Sequence, residues 1–195
     1  MAKILKLHYS IQGTQPLLMH NAILSDPLNE HTMRVKEISS KRNKTIEDHL
    51  ELRHREWLGG FYYDSTAGPY LPGPAIDAAL CEAAKKNKLG KKFKSALFAE
   101  QEVNPLEYEG PRDLDGLWAD PRYREVRSVK VMAARCIRCR PCFLSWGASF
   151  TLTLMPGELN PSDVDTALEA AGIYVGLGDY RPRYGRFVVT KKSRE

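Results

Sequence analysis

The 195 residues contain no run of about eighteen apolar residues, so no segment is expected to cross a membrane as a helix. The opening Met1-Ala2-Lys3-Ile4-Leu5-Lys6 lacks the long apolar core of a signal peptide, and a cytoplasmic location is expected (a bacterial host's cytoplasm for a phage-encoded chain). Paired carboxylates, a Walker loop and a nucleophile elbow are all missing, which leaves little for an enzyme reading to stand on. Cysteine is scarce. Three of the four fall at Cys136-x-x-Cys139-x-x-Cys142, a spacing that invites a metal. But the fourth ligand is missing nearby, the nearest upstream histidine being His54, and residues three apart on a strand face opposite ways. Reduced intracellular thiols, with no metal and no cofactor, are the expectation.

What the chain does have is enough apolar content, 43%, to bury a core, and a net charge of +5 with pI near 9.0. That charge leans toward a polyanionic partner, though ordinary enzymes carry as much. Its distribution is uneven. Lys85, Lys86, Lys88, Lys91, Lys92 and Lys94 fall within ten residues without an acid, and residues 122–140 hold seven Arg or Lys against Glu125 alone. Residues 100–120 carry Glu100, Glu102, Glu107, Glu109, Asp113, Asp115 and Asp120. Such segregation suits a protein that binds nucleic acid on one side, or one that stacks head to tail on copies of itself.

In order along the chain, residues 4–12 alternate as a half-buried strand, broken at Gly13-Thr14-Gln15-Pro16 and followed by a short apolar stretch to Asn21. Within that stretch His20 could be a ligand, a base, or a packed or capping residue. An excursion over about 22–66 reads as a helical arm: Asn29 caps a helix through 30–39, and Thr45 with Asp48 opens another that ends at Gly59-Gly60. Between the two, Lys41-Arg42-Asn43-Lys44 is either a solvated turn or a grip on a nucleic-acid strand. Pro74 suits a helix first turn, and Ile76, Ala79, Leu80 and Ala83 form its buried stripe. The lysine run beyond that helix is either a solvated tail or a set of phosphate contacts. Residues 100–125, rich in Pro, Gly and charge, read as a long loop arm that extends over about 95–125. Strands follow at about 126–138 and at 150–154. A last helix is capped around Ser162-Asp163 and stopped by Gly172, with Val164, Leu168 and Ala171 facing inward.

The stretch Gly176-Leu177-Gly178-Asp179-Tyr180-Arg181-Pro182-Arg183-Tyr184-Gly185-Arg186-Phe187 then runs into a closing strand. Its glycines permit positive φ and close backbone approach. Arginine supplies a planar fork for phosphate and tyrosine a face for a base. A plain surface turn with solvated arginines is the other reading. Together the elements give an α+β chain, a single domain over 1–195 whose ferredoxin-like or RRM-like β-α-β-β-α-β core carries two large insertions.

These motifs resemble those of the RAMP superfamily, the proteins that form the backbone of CRISPR effector complexes. Tyr70-Leu71-Pro72-Gly73-Pro74-Ala75-Ile76-Asp77-Ala78-Ala79-Leu80 is similar to the family's proline–glycine helix start, and 176–187 to its glycine- and arginine-rich C-terminal loop. Arg138-Cys139-Arg140-Pro141 and Trp146, ahead of the 150–154 strand, resemble small RAMP-like proteins of phage genomes. Ala75 and Asp77 stand where the family has a small hydroxyl and a lysine, and Cys81 where an arginine is common, which leaves the helix its packing role.

The resemblance implies a non-catalytic, largely sequence-independent binder of single-stranded nucleic acid, RNA ahead of DNA, that polymerises along its ligand. Expected contacts are Gly176, Gly178, Arg181, Arg183, Tyr184 and Arg186 in the loop, with Lys41, Arg42, Lys91 and Lys92 from the arms. Two other readings stand beside it. Some relatives cleave RNA through an aspartate after the first strand, a region Asp26 loosely occupies, or through a histidine near the glycine-rich loop, where this chain has none. A phage-derived mimic or assembly protein would instead bind a CRISPR or other host protein complex.

Overall fold

The computed structural model describes residues 4–131, 134–155 and 157–195. In chain order its elements are β1 (Leu5–Gly13), β2 (Leu17–Leu18), α1 (Glu30–Ser40), α2 (Ile46–Gly60), β3 (Tyr63–Asp64), β4 (Gly68–Pro72), α3 (Gly73–Ala84), α4 (Gly90–Ala96) and β5 (Leu97–Ala99). There follow β6 (Val103–Glu107), α5 (Leu114–Ala119), β7 (Arg124–Val131), β8 (Ala134–Phe143), β9 (Gly147–Leu154), α6 (Pro161–Ala170) and β10 (Phe187–Arg194). The chain is α+β, its paired strands antiparallel, and it divides into two compact units: 1–17, 63–109 and 144–195 form the first, 18–62 and 110–143 the second.

The first unit holds a sheet in the order β10-β1-β9-β6-β4-β3, with β5 also on β9. β5 pairs with Leu152–Leu154 and β6 with Gly147–Ala148, so they share one edge of β9 in succession. Alternation decides which side chains go inward. Leu7, Tyr9 and Ile11 of β1 and Ala148, Phe150, Leu152 and Leu154 of β9 are buried, as are Ile76, Ala79, Leu80 and Ala83 of α3 and Val164, Ala167 and Leu168 of α6. At roughly 25 cal/mol per Å² of apolar surface, this stripe-on-sheet burial is the main stabilising term of the unit.

Asp77 packs rather than projects. Its Oδ1 accepts the Ala99 N–H at 2.7 Å, tying α3 to β5, while burial raises its pKa. Near the closing strand, the Tyr9 hydroxyl and the Arg194 guanidinium both donate to the Asp165 carboxylate, at 2.8 and 2.6 Å.

In the second unit α1 and α2 form a helical hairpin and the sheet order is β2-β8-β7. Asn29 caps α1, its Oδ1 accepting the His31 N–H, and Thr45 and Asp48 complete a reciprocal capping box on α2. Trp57 is fully buried and its indole N–H donates to the Tyr123 carbonyl at 2.9 Å; Phe61 meets its ring edge-on at 4.5 Å.

Three expectations are corrected. Residues 100–125 are not one loop: they contain β6, and α5 opened by Asp113, whose Oδ1 accepts the Gly116 N–H. The strand expected over 126–138 is two antiparallel strands, β7 and β8, with Met132 and Ala133 outside the described residues. Nor does Gly172 stop the last helix, which continues as a π-helical turn over Ala171–Val175. A Cβ on Gly172 would lie 2.2 Å from the Phe187 carbonyl oxygen, so glycine is there for close approach of the closing strand.

Candidate nucleic-acid interface

The glycine- and arginine-rich loop is tied at its base and projects at its tip. The Leu177 N–H donates to the Gly185 carbonyl at 2.9 Å, and the Gly185 N–H to the Pro16 carbonyl at 2.8 Å. This crossing brings two backbones so close that a Cβ on Gly185 would stand 1.8 Å from the Leu177 oxygen, and its φ of +70° is one that side-chain-bearing residues rarely adopt. Leu177 is buried beneath; beyond it, Tyr180, Arg181 and Arg183 are exposed. The Tyr180 and Tyr184 rings meet edge-on at 5.9 Å, and the Tyr184 N–H donates to the Tyr180 carbonyl.

One side of this tip faces an open groove of about 670 Å³, walled by Glu82, Lys85 and Lys86 on one bank and Tyr174, Val175, Gly178, Asp179, Tyr180, Arg181 and Pro182 on the other. Lys86 Nζ sits 3.4 Å from the centre of the Tyr174 ring. Lys85 Nζ pairs with Glu82 at 2.5 Å, and that hydrogen bond lowers the Glu82 pKa and raises that of Lys85. Both groups are open to water, so the pair holds little energy. Lys85 also borders a second hollow of about 380 Å³ lined by Cys81, Lys88, Gly90, Lys91 and Lys94. The cations therefore form a strip, from Arg181 and Lys86 through Lys85 onto α4, with the exposed Tyr174 and Tyr180 at one end.

Of the loop residues expected to contact nucleic acid, Gly178 and Arg181 line the groove. Gly176, Arg183, Tyr184 and Arg186 are not among its walls: Gly176 is buried at the loop base, Tyr184 half-buried, and Arg183 exposed. Arg186 is half-buried, with an Nε that is buried and has no hydrogen-bond partner among the described residues. Lys91 lies on the α4 side of the strip, and Lys92 is exposed on the same helix. In the second unit, Lys41 ends α1 and pairs with Asp48 at 2.5 Å, while Arg42 is exposed in the following turn.

Tyr174 is the residue sequence reasoning did not single out; Lys86 stood in the lysine run, without a partner assigned to it. Tyr174 follows two buried positions, Ala171 and Gly172, yet stands 57% exposed; an aromatic placed off the buried stripe is the signal that could have found it.

The outward face of the first unit's sheet offers a different surface, a hollow of about 450 Å³ whose walls include His8, Ser10, Ser149, Thr151 and Lys191. His8 Nδ1 lies 2.9 Å from Thr151 Oγ1. These outward positions of β1 and β9 carry hydroxyls and an imidazole rather than the aromatic rings on which an RRM sheet stacks bases. Exposed rings, those of Tyr174 and Tyr180, are instead on the loop side.

Asp26 ends a short 3-10 turn, and its Oδ1 accepts the Leu28 N–H at 2.9 Å. Cys139 and Cys142 are buried on β8, and burial pushes their thiols up to about 11 and about 12. Both are protonated at neutral pH. Among the described residues no group of three His, Cys, Asp or Glu side chains is arranged to hold a metal ion, and no helix is long and apolar enough to cross a membrane.

No family model matches the sequence, and no curated protein matches it. Among solved structures, the chain is similar to the crystal structure of Cmr6 from Pyrococcus furiosus, at 11% identity and a TM-score of 0.39, over 97% of this chain and 100% of that one.

Proposed function

We propose that the chain binds single-stranded nucleic acid without catalysis and largely without regard to sequence. The observation that carries this is the groove beside the 176–187 loop: Lys86 over Tyr174, with Tyr180 and Arg181 across from them, continuing through Lys85 to Lys91 and Lys94. Cations at this spacing would neutralise successive phosphates while exposed rings take bases edge or face on. Arg183, Tyr184 and Arg186 would flank that path, with Lys92 on α4; in the second unit, Lys41 and Arg42 would be contacts in their own right. RNA is placed ahead of DNA, following the resemblance of the loop and helix motifs to RAMP proteins.

In this reading the four-strand series β1, β5/β6, β9 and β10, in spatial order fourth-first-third-second with α3 and α6 as its helices, is a ferredoxin-like RAMP core. The excursions over about 22–66 and 95–125 are insertions of one domain, and copies line up along the ligand. A protein partner is the second reading, favoured by Leu28, Ile46 and Leu50 in the helical excursion, 78%, 75% and 55% exposed.

Titration of labelled poly(U) and poly(dT) from low to physiological salt tests the proposal. Affinity should fall steeply with salt, rank the uridine polymer first, and leave nuclease-protected fragments of regular length. Flat salt dependence, preference for one short sequence, or a monomer that ignores both polymers would overturn it, the last in favour of the protein partner.

A further inference from the structure

The hollow of about 380 Å³ beside the groove is built by the turn that joins α3 to α4, and Lys85, Lys88, Lys91 and Lys94 all line it. The Cys81 thiol donates to the Gly90 carbonyl at 3.2 Å and so ties the start of α4 to α3. Two more hydrogen bonds close the turn: the Lys88 N–H donates to the Lys85 carbonyl and the Leu89 N–H to the Ala84 carbonyl, both at 3.0 Å. This pairing ends a helix on a residue in the left-handed conformation, a place usually taken by glycine. Here that residue is Lys88, at φ +59°. A residue with a Cβ stands there at a conformational cost that glycine avoids.

The charges around the hollow add a second cost. Lys91 and Lys94 are three apart on α4, so they are neighbours on one face, where like charges weaken a helix. Lys85 is offset by Glu82. Lys88, Lys91 and Lys94 are exposed, and their ammonium groups have no hydrogen bond or ion pair among the described residues. Three unmatched cations thus border one hollow, and one of them stands on backbone that disfavours it.

A polyanion would offset both costs, and its charge must be concentrated. The backbone of a nucleic-acid strand brings its negative charges one nucleotide at a time. A triphosphate carries them on adjacent groups, each able to accept charge-assisted hydrogen bonds from several ammonium groups at once. We infer that the hollow binds a triphosphate group, either that of a free nucleoside triphosphate or that at the 5′ end of a strand. The strand end rests on the proposed function, since its following nucleotides would run past Lys85 into the groove; the free nucleotide does not.

Magnesium-free calorimetry on the full chain with UTP, UMP and a uridine oligomer, 5′-triphosphorylated or 5′-hydroxyl, tests this. UTP should bind one to one and at least about tenfold more tightly than UMP, the size of one charge-assisted contact. A triphosphorylated oligomer that binds at least about tenfold more tightly than its hydroxyl form supports the strand end. Equal binding of the two oligomers, with UTP bound, supports the free nucleotide. Lys88→Gly separates this site from a merely structural turn: it should melt no lower than the parent and yet bind UTP at least about tenfold more weakly. Lys91→Gln with Lys94→Gln leaves the turn as it is, should weaken UTP at least as much, and decides the matter if Lys88→Gly does not fold. UTP bound no more tightly than UMP, or UTP affinity unchanged in these folded variants, overturns the inference. Poly(U) binding that keeps its salt dependence while UTP gives no heat overturns this site alone, and UTP binding without poly(U) binding supports the site while overturning the groove.

Discussion

Two cationic sites, one in each unit, use their charge in opposite ways. In the first, Lys85, Lys86 and Arg181 stand in water on a helix end and a loop, and the ion pair of Lys85 with Glu82 is exposed. In the second, Arg138 is held by the Glu56 carboxylate, which is itself buried and also caps a strand N–H. The physical consequence is a difference in coupling. Exposed cations contribute to binding and little to stability, because water already solvates them. A cation clamped by a buried carboxylate is part of the fold, so losing the clamp leaves a charge and an N–H without partners.

The largest effect expected from this comparison is at Glu56. Glu56→Ala should destabilise the protein by roughly 3–5 kcal/mol, the usual cost of breaking a buried pair by removing one partner. Urea denaturation followed by tryptophan fluorescence reads it, and Trp57, fully buried next to Glu56 on α2, reports on the same unit. A loss under about 1 kcal/mol would place the Glu56 pair in the exposed class and erase the contrast.

Gly185→Ala should come next. The comparison treats the arginine tip as dispensable to stability but not the base of the loop, where φ is +70° and the Leu177 oxygen leaves no room for a Cβ. A cost of about 1–3 kcal/mol is expected, and a melting curve like the parent's would mean that the loop base is not the anchor described.

A smaller effect belongs to pH. The His54 ring lies tilted against Trp118 at 4.4 Å between centroids, and burial, with Arg55 next, lowers its pKa. A histidine whose folded pKa is depressed contributes stability that is present above the unfolded value of about 6.5 and is lost as pH falls through the folded one. Stability should therefore decline as pH drops from 7 into that range, and His54→Phe should flatten the decline. A parent protein equally stable at pH 7 and well below 6 would contradict this.

How much of this could be read in advance depended on distance along the chain. Capping is local chemistry: Asn29 and the Thr45–Asp48 box stood where the sequence placed them, as did the alternation of β1 and the Ile76–Ala79–Leu80–Ala83 stripe. The division into β7 and β8 was missed because residues 130–135 of the sequence offer no Gly, Pro, Asn or Asp to separate two strands. α5 was missed because six residues are too few to show a period.

The groove depended on tertiary placement. Lys86 and Tyr174 are 88 positions apart in the sequence, and no spacing rule pairs a lysine after one helix with a tyrosine after another. The Glu56–Arg138 clamp had the same obstacle, being a contact between an unremarked helix position and a strand read with the wrong boundaries.

The measurement that tests the central claim most directly is made on one variant, Lys86→Ala with Arg181→Ala, by a melting curve and a salt series of poly(U) titrations. The melting temperature should stay within the range of a surface change, about 0.5 kcal/mol. The slope of log affinity against log salt should flatten by about one unit per lost phosphate contact, two in all. A variant that melts with the parent and binds with the parent's affinity and salt slope would show that nucleic acid does not run through this groove.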